Sequence, residues 1–107
     1  MNIAFTPMRQ ENLLVLSKAG DILTINGEAF DFSAIPEGAT LPRDAVACAW
    51  LASDIERQGG VIQLTLILPH GACAPEQTLF PAPIQATDGV IELPPYSLPE
   101  PQPEENI

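Results

Sequence analysis

Apolar and polar residues alternate most regularly between residues 13 and 32, LLVLSKAGDILTINGEAFDF, a stretch that predicts three consecutive antiparallel strands with both turns written into it. Asn26-Gly27 separates an apolar run from an alternating one, and both residues tolerate the positive φ that a type I′ turn demands. With that loop, Ile25 faces Glu28 and Leu23 faces Phe30. The earlier turn falls on Ala19-Gly20 or Gly20-Asp21, and either two-residue loop brings Leu14 and Leu16 onto the side of Leu23, Ile25, Phe30 and Phe32. A three-residue loop would turn the whole first strand over. The predicted core face is therefore Leu14, Leu16, Leu23, Ile25, Phe30 and Phe32, and the opposite face carries Ile22, Thr24, Ala29 and Asp31. Ile22 and Ala29 are too apolar to be indifferent to water, which marks this second face as a candidate contact surface.

Beyond the meander, residues 33–43 contain Pro36, Gly38 and Pro42 and read as a surface connection long enough to cross the domain. Residues 45–52 are ambiguous: the alanines favour helix, whereas Val46, Cys48 and Trp50 alternate with small residues as in a strand. The strand is favoured, with a short helix within 44–57 left open and residues 53–58 as a bent continuation. Gly59-Gly60 then leads into the clearest strand, residues 61–68, with Ile62, Leu64, Leu66 and Leu68 on its core face. Pro69 is expected to end it, since proline has no amide hydrogen for a ladder. Pro81 and Pro83 confine residues 79–80 and 84–86 to a sheet edge or to a chain lying across the sheet, and Asp88-Gly89 marks a last turn before Val90-Ile91. The fold class expected is mainly β, a small antiparallel sheet or sandwich built on hairpins and a meander. Residues 1–93 form its compact domain. Residues 94–107, rich in proline and acid, are expected to be an extended, disordered tail.

Charge narrows the partners. The chain of 107 residues is 46% hydrophobic and only 17% charged, with 14 acidic residues against 4 basic ones and a net charge of −10. That balance argues against nucleic acid and against an anionic membrane surface, both of which need basic residues. It leaves a protein partner, with a basic one the sharper form, and self-association into a homo-oligomer stays open. No apolar run is long enough to span a membrane, and the N-terminus lacks a basic region followed by a long apolar stretch, so a cytoplasmic protein is expected. Cys48 and Cys73 do not announce a disulfide framework and read as reduced thiols.

Candidate chemistry is thin. His70 and Cys73 form an H-x-x-C pair, but zinc wants four ligands and the chain has a single histidine. A cysteine-histidine nucleophilic pair lacks an orienting third group. Asp31, Asp44, Asp54 and Glu56 could in principle act as paired carboxylates, yet nothing in the sequence brings two of them into one cleft, and exposed strand faces or turn caps account for them. Nucleophile-elbow, phosphate-loop and zinc-protease motifs are absent. No catalytic residue, cofactor or metal is therefore expected, and a small ligand-binding or hydrolytic module using the His70 loop is the alternative. Trp50, Phe80 and Tyr96 could be binding aromatics, of which Trp50 reads as core. Tyr96, in Pro94-Pro95-Tyr96-Ser97-Leu98-Pro99, lies outside any evident core and is a candidate docking element.

The segments TLPRDAV (40–46), GGVIQLTLILPHG (59–71), TLFP (78–81) after Ala74-Pro75, and ELPPY (92–96) together resemble small uncharacterised proteins of bacterial prophages. The resemblance covers most of the chain, including the hairpin at Ile25-Asn26-Gly27-Glu28. It implies a protein encoded among the tail and tail-fibre genes of tailed phages, with a phage tail or tail-fibre component as partner and a location in the bacterial cytoplasm or on the virion. It carries no catalytic motif. The function expected on this basis is a non-enzymatic tail-associated accessory or assembly protein acting through protein–protein contacts.

Overall fold

The meander forms in the predicted register. In the computed structural model, which describes residues 1–96, strands β2 (Leu16–Ala19), β3 (Ile22–Ile25) and β4 (Glu28–Asp31) pair Leu16 with Ile25, Leu23 with Phe30 and Ile25 with Glu28. Ala19 pairs with Ile22, so the first loop is Gly20-Asp21. Asn26 and Gly27 both take positive φ, 49° and 85°, as the type I′ turn requires. Strand β2 starts later than the apolar run because Asn26 substitutes for a strand neighbour. Its side-chain oxygen accepts the Val15 N–H at 2.7 Å, and its amide donates to the Leu13 carbonyl at 3.0 Å. Leu14 still reaches the core.

The remaining strands are β1 (Asn2–Arg9), β5 (Thr40–Leu41), β6 (Ile55–Gln58), β7 (Val61–His70), β8 (Ile84–Gln85) and β9 (Gly89–Ile91). They complete two sheets, of order β5-β6-β7-β1-β8 and β4-β3-β2-β9. The fold is thus mainly β and mostly antiparallel, with one short helix, α1 (Glu76–Leu79). The exception to antiparallel pairing is central: β1 lies parallel to β7 over eight residue pairs, from Asn2 with Gln63 to Arg9 with His70. Each sheet turns one apolar face inward. Ile3, Ile62, Leu64 and Leu66 from the five-stranded sheet join Leu16, Leu23 and Ile25 from the other in a single buried cluster.

Two expectations change. Residues 45–52 form neither a helix nor a regular strand, and the helix left open within 44–57 shrinks to one 3-10 turn at Arg43–Ala45. The segment runs beside β7, where the Trp50 carbonyl accepts the Ile67 N–H and the Ala52 N–H donates to Thr65, each at 2.8 Å, around a single bridge from Leu51 to Leu66. These tertiary bonds outweigh the helix preference of a few alanines. Nor does Pro69 end its strand: β7 continues through His70, with Pro69 opposite Met8. The odd residues Thr65 and Ile67 direct their amides away from β1. The missing donor of Pro69 therefore points to that outer flank, which β6 no longer covers. Pro7 in β1 follows the same logic, because β8 pairs only with Asn2 and Ile3.

Arg57 ties the two sheets together at one end. From β6 its guanidinium donates to the Ile35 carbonyl at 2.6 Å, the Phe32 carbonyl at 3.2 Å, the Gly60 carbonyl at 3.2 Å and the Asp21 carboxylate at 2.8 Å. It thus holds the β2–β3 turn, the segment leaving β4 and the β6–β7 turn at once. Nearby, the Glu37 carboxylate accepts both N–H groups of the Gly59-Gly60 loop. The Arg57 side chain is only 14% exposed, so its loss leaves the Ile35 carbonyl without that donor and the Asp21 carboxylate without its partner. Arg57→Ala is expected to lower unfolding free energy by about 3 kcal/mol. Asp21→Asn, at a more exposed partner, should cost under about 1 kcal/mol. Urea denaturation midpoints check both values.

Candidate functional site

The face of the meander turned away from the core is open to solvent. Register across the four strands places Val90, Ser17, Thr24 and Ala29 in one row and Ala19, Ile22 and Asp31 in the next, with Val15 extending the face beyond β2. Ile22, Thr24, Ala29 and Asp31 are thus together on one surface, as their alternation predicts. The sequence reading missed Val15, Ser17 and Val90. Val15 and Ser17 followed from the same parity rule. Val90 required knowing that the short strand β9 pairs with β2, some seventy residues earlier. Val90 is 81% exposed, Val15 63% and Ile22 38%, an unusual display of β-branched apolar side chains on one sheet face.

Ionised groups sit at its margins. Within the strand pairs of the face, Asp31 at the outer corner on β4 is the one acidic or basic side chain among the described residues, and the exposed Glu92 follows Ile91 at the Val15 end. Its carboxylate accepts the Ser33 N–H at 2.9 Å, and hydrogen bonds from the Ser33 side chain and backbone hold its pKa below the usual value. At the opposite margin Asp88 accepts from Lys18 Nζ at 2.7 Å and from the Gly20 N–H at 3.1 Å, tethering the β8–β9 connection to the β2–β3 turn. The Lys18 hydrogen bond, followed by that of Gly20 and the lysine charge, lowers the Asp88 pKa.

Tyr96 belongs elsewhere. It is half-buried, its hydroxyl donates to the Gln10 carbonyl, and its own carbonyl accepts the Gly71 N–H at 2.8 Å. The buried Thr78 hydroxyl donates to the Pro95 carbonyl at 2.6 Å. The ordered fold therefore continues past Leu93 as far as Tyr96, and the aromatic ring expected on a free tail is committed to the domain. Of the tail expected at 94–107, residues 97–107 lie outside the described residues.

Of the sequence's other candidates, the carboxylates Asp54 and Glu56 come to line one open cleft. His70 Nδ1 lies 3.0 Å from the Gly71 carbonyl, and no disulfide joins Cys48 to Cys73. No group of three or more His, Cys, Asp or Glu side chains among the described residues is placed to hold a metal ion. Asp54 accepts the Arg43 N–H at 2.8 Å, and Glu56 accepts from the Gln58 amide at 2.7 Å. Trp50 packs against the core, whereas Phe80 is 77% exposed on the far side of α1 from its buried Thr78. No helix among the described residues is long and apolar enough to cross a membrane. The chain matches no protein-family model, no curated protein and no solved structure.

The lowered Asp88 pKa makes the tether pH-dependent with a definite sign. A carboxylate with a folded pKa below its unfolded one stabilises the fold above the unfolded value, and that contribution disappears as pH falls through the folded one. Urea midpoints measured from pH 5 down to pH 2 should show a loss of stability below the usual carboxylate range. Asp88→Asn should start less stable at pH 5 and show a smaller decline.

Proposed function

We propose that this protein is a non-enzymatic accessory or assembly protein of a tailed phage that acts by binding another protein through the outer face of its β4-β3-β2-β9 sheet. The observation that carries the binding role is the exposure of Val15, Ile22 and Val90 on one sheet face whose strand pairs carry a single charged side chain, in a chain of net charge −10. A strongly acidic protein has ample charged residues with which to solvate a sheet face. Leaving this one small and apolar favours a surface that is covered in use. The tail-associated context rests on the prophage resemblance of residues 40–46, 59–71, 78–81 and 92–96.

Asp31 stands at one corner of the face and the exposed Glu92 near another, whereas Asp21 and Asp88 are paired with Arg57 and Lys18, so the fitting partner has an apolar centre and basic groups toward those two corners. Charge complementarity of that kind mainly speeds encounter and fixes orientation, while the apolar centre supplies affinity. The partner falls among the tail or tail-fibre components encoded beside this chain.

The test is capture of those neighbouring gene products by the full-length protein and by Val15→Asp/Val90→Asp. The double variant should retain its thermal transition and bind the captured component at least tenfold more weakly. The wild-type association rate should fall as salt rises. Undiminished capture by the double variant, or capture of none of the tail components, would overturn the proposal. So would a wild-type dimer that the double variant converts to a monomer, which would assign the face to a second copy.

A further inference from the structure

The outward face of the five-stranded sheet differs sharply from that of the meander. Strand register sets Thr40 beside Glu56, Glu56 beside Gln63, Gln63 beside Asn2 and Asn2 beside Gln85, so one row of polar side chains crosses all five strands. Neighbouring strands lie about 4.8 Å apart, which makes the row roughly 19 Å long. Its Glu56, Gln63, Asn2 and Gln85 form the floor of an open cleft of about 810 Å³, which Ser53, Asp54 and Pro83 also line. Among the described residues, the amides of Asn2, Gln63 and Gln85 hydrogen-bond to no other protein group. Three adjacent primary amides thus offer their full complement of donors and acceptors to whatever enters.

We infer that this cleft binds a neutral, hydroxyl-rich chain, an uncharged oligosaccharide. A primary amide presents an acceptor and two donors side by side, which suits paired hydroxyls that each donate and accept. Other ligand classes fit poorly. Phosphorylated, sulfated or carboxylated ligands meet Glu56 and Asp54 with no basic side chain among the lining residues. The lining holds no aromatic ring on which a nucleobase could stack. An extended peptide lying along the row advances about 3.3 Å per residue and falls out of step with amides one strand spacing apart. A chain of pyranose rings presents hydroxyls along its length without that constraint.

The row and the meander face lie on opposite outer surfaces, so saccharide binding is separate from the protein contact proposed above. The test is titration of the isotopically labelled full-length protein with cellohexaose, maltohexaose, mannohexaose and chitohexaose, followed by NMR of backbone and side-chain amides. A heparin hexasaccharide and an extended alanine-threonine hexapeptide serve as comparisons. At least one neutral hexasaccharide should shift the side-chain amides of Asn2, Gln63 and Gln85 saturably. The corresponding monosaccharide should bind more weakly, because one ring cannot span the row. Gln63→Ala should weaken binding about tenfold, the loss of one or two hydrogen bonds. Gln85→Ala, on an edge strand, provides the same measurement should Gln63→Ala disturb the fold. The inference is overturned if no neutral hexasaccharide shifts these amides. Stronger binding of heparin or of the peptide to the row would also overturn it, as would unchanged affinity in a folded variant.

Discussion

Each of the two sheets has one apolar face, and within a chain of this size only the other sheet can cover it. The rest of the molecule follows from that mutual burial. Leu16, Leu23 and Ile25 need Ile3, Leu64 and Leu66 opposite them, so both sheets must show their remaining faces to the outside. Those two faces then diverge in character. One is small and apolar around Val15, Ile22 and Val90; the other is an amide row through Gln63 and Asn2. A β-sandwich without helical layers has no third surface of comparable extent, and the two proposed contacts therefore occupy its two sides.

Between the sheets, polar groups appear only where they can be satisfied. Arg57 enters at the rim, on the inward parity of β6, and uses its fork of donors on three carbonyls and one carboxylate. Thr78 is fully buried but gives its hydroxyl to Pro95. Both residues fasten segments that have no strand ladder of their own: Arg57 the connection leaving β4, Thr78 the chain leading to Tyr96. Side-chain hydrogen bonds thus complete the sandwich where backbone pairing runs out.

The meander was legible because its information is local. Period-two alternation and the Asn26-Gly27 turn determine register within twenty residues, and the candidate face of Ile22, Thr24, Ala29 and Asp31 came with it. The core face of residues 61–68 was legible for the same reason. What escaped was set by distant contacts. Strand β1 pairs in parallel with a segment some sixty residues away, and parallel pairing leaves no turn signature between its strands. Residues 45–52 took their shape from the flank of β7 and not from their own propensities. Val90 joined the candidate face only through β9, whose three residues carry too little pattern to choose a partner. The amide row is the extreme case: each of its five residues is an ordinary polar position, and only the strand order makes them neighbours.

Pro7 and Pro69 lie near the far end of the central parallel pair, each with its missing donor directed away from the partner strand; Pro69 is buried there, whereas Pro7 faces the flank that β8 leaves unpaired. An uncovered strand flank is a template on which another extended chain can assemble, and a long parallel pair in the middle of a small sandwich would be a dangerous one. Pro7 interrupts the row of N–H groups that such a chain would need along β1, without disturbing the bonds between β1 and β7. The proline in β1 therefore acts as a guard against uncontrolled pairing along that flank.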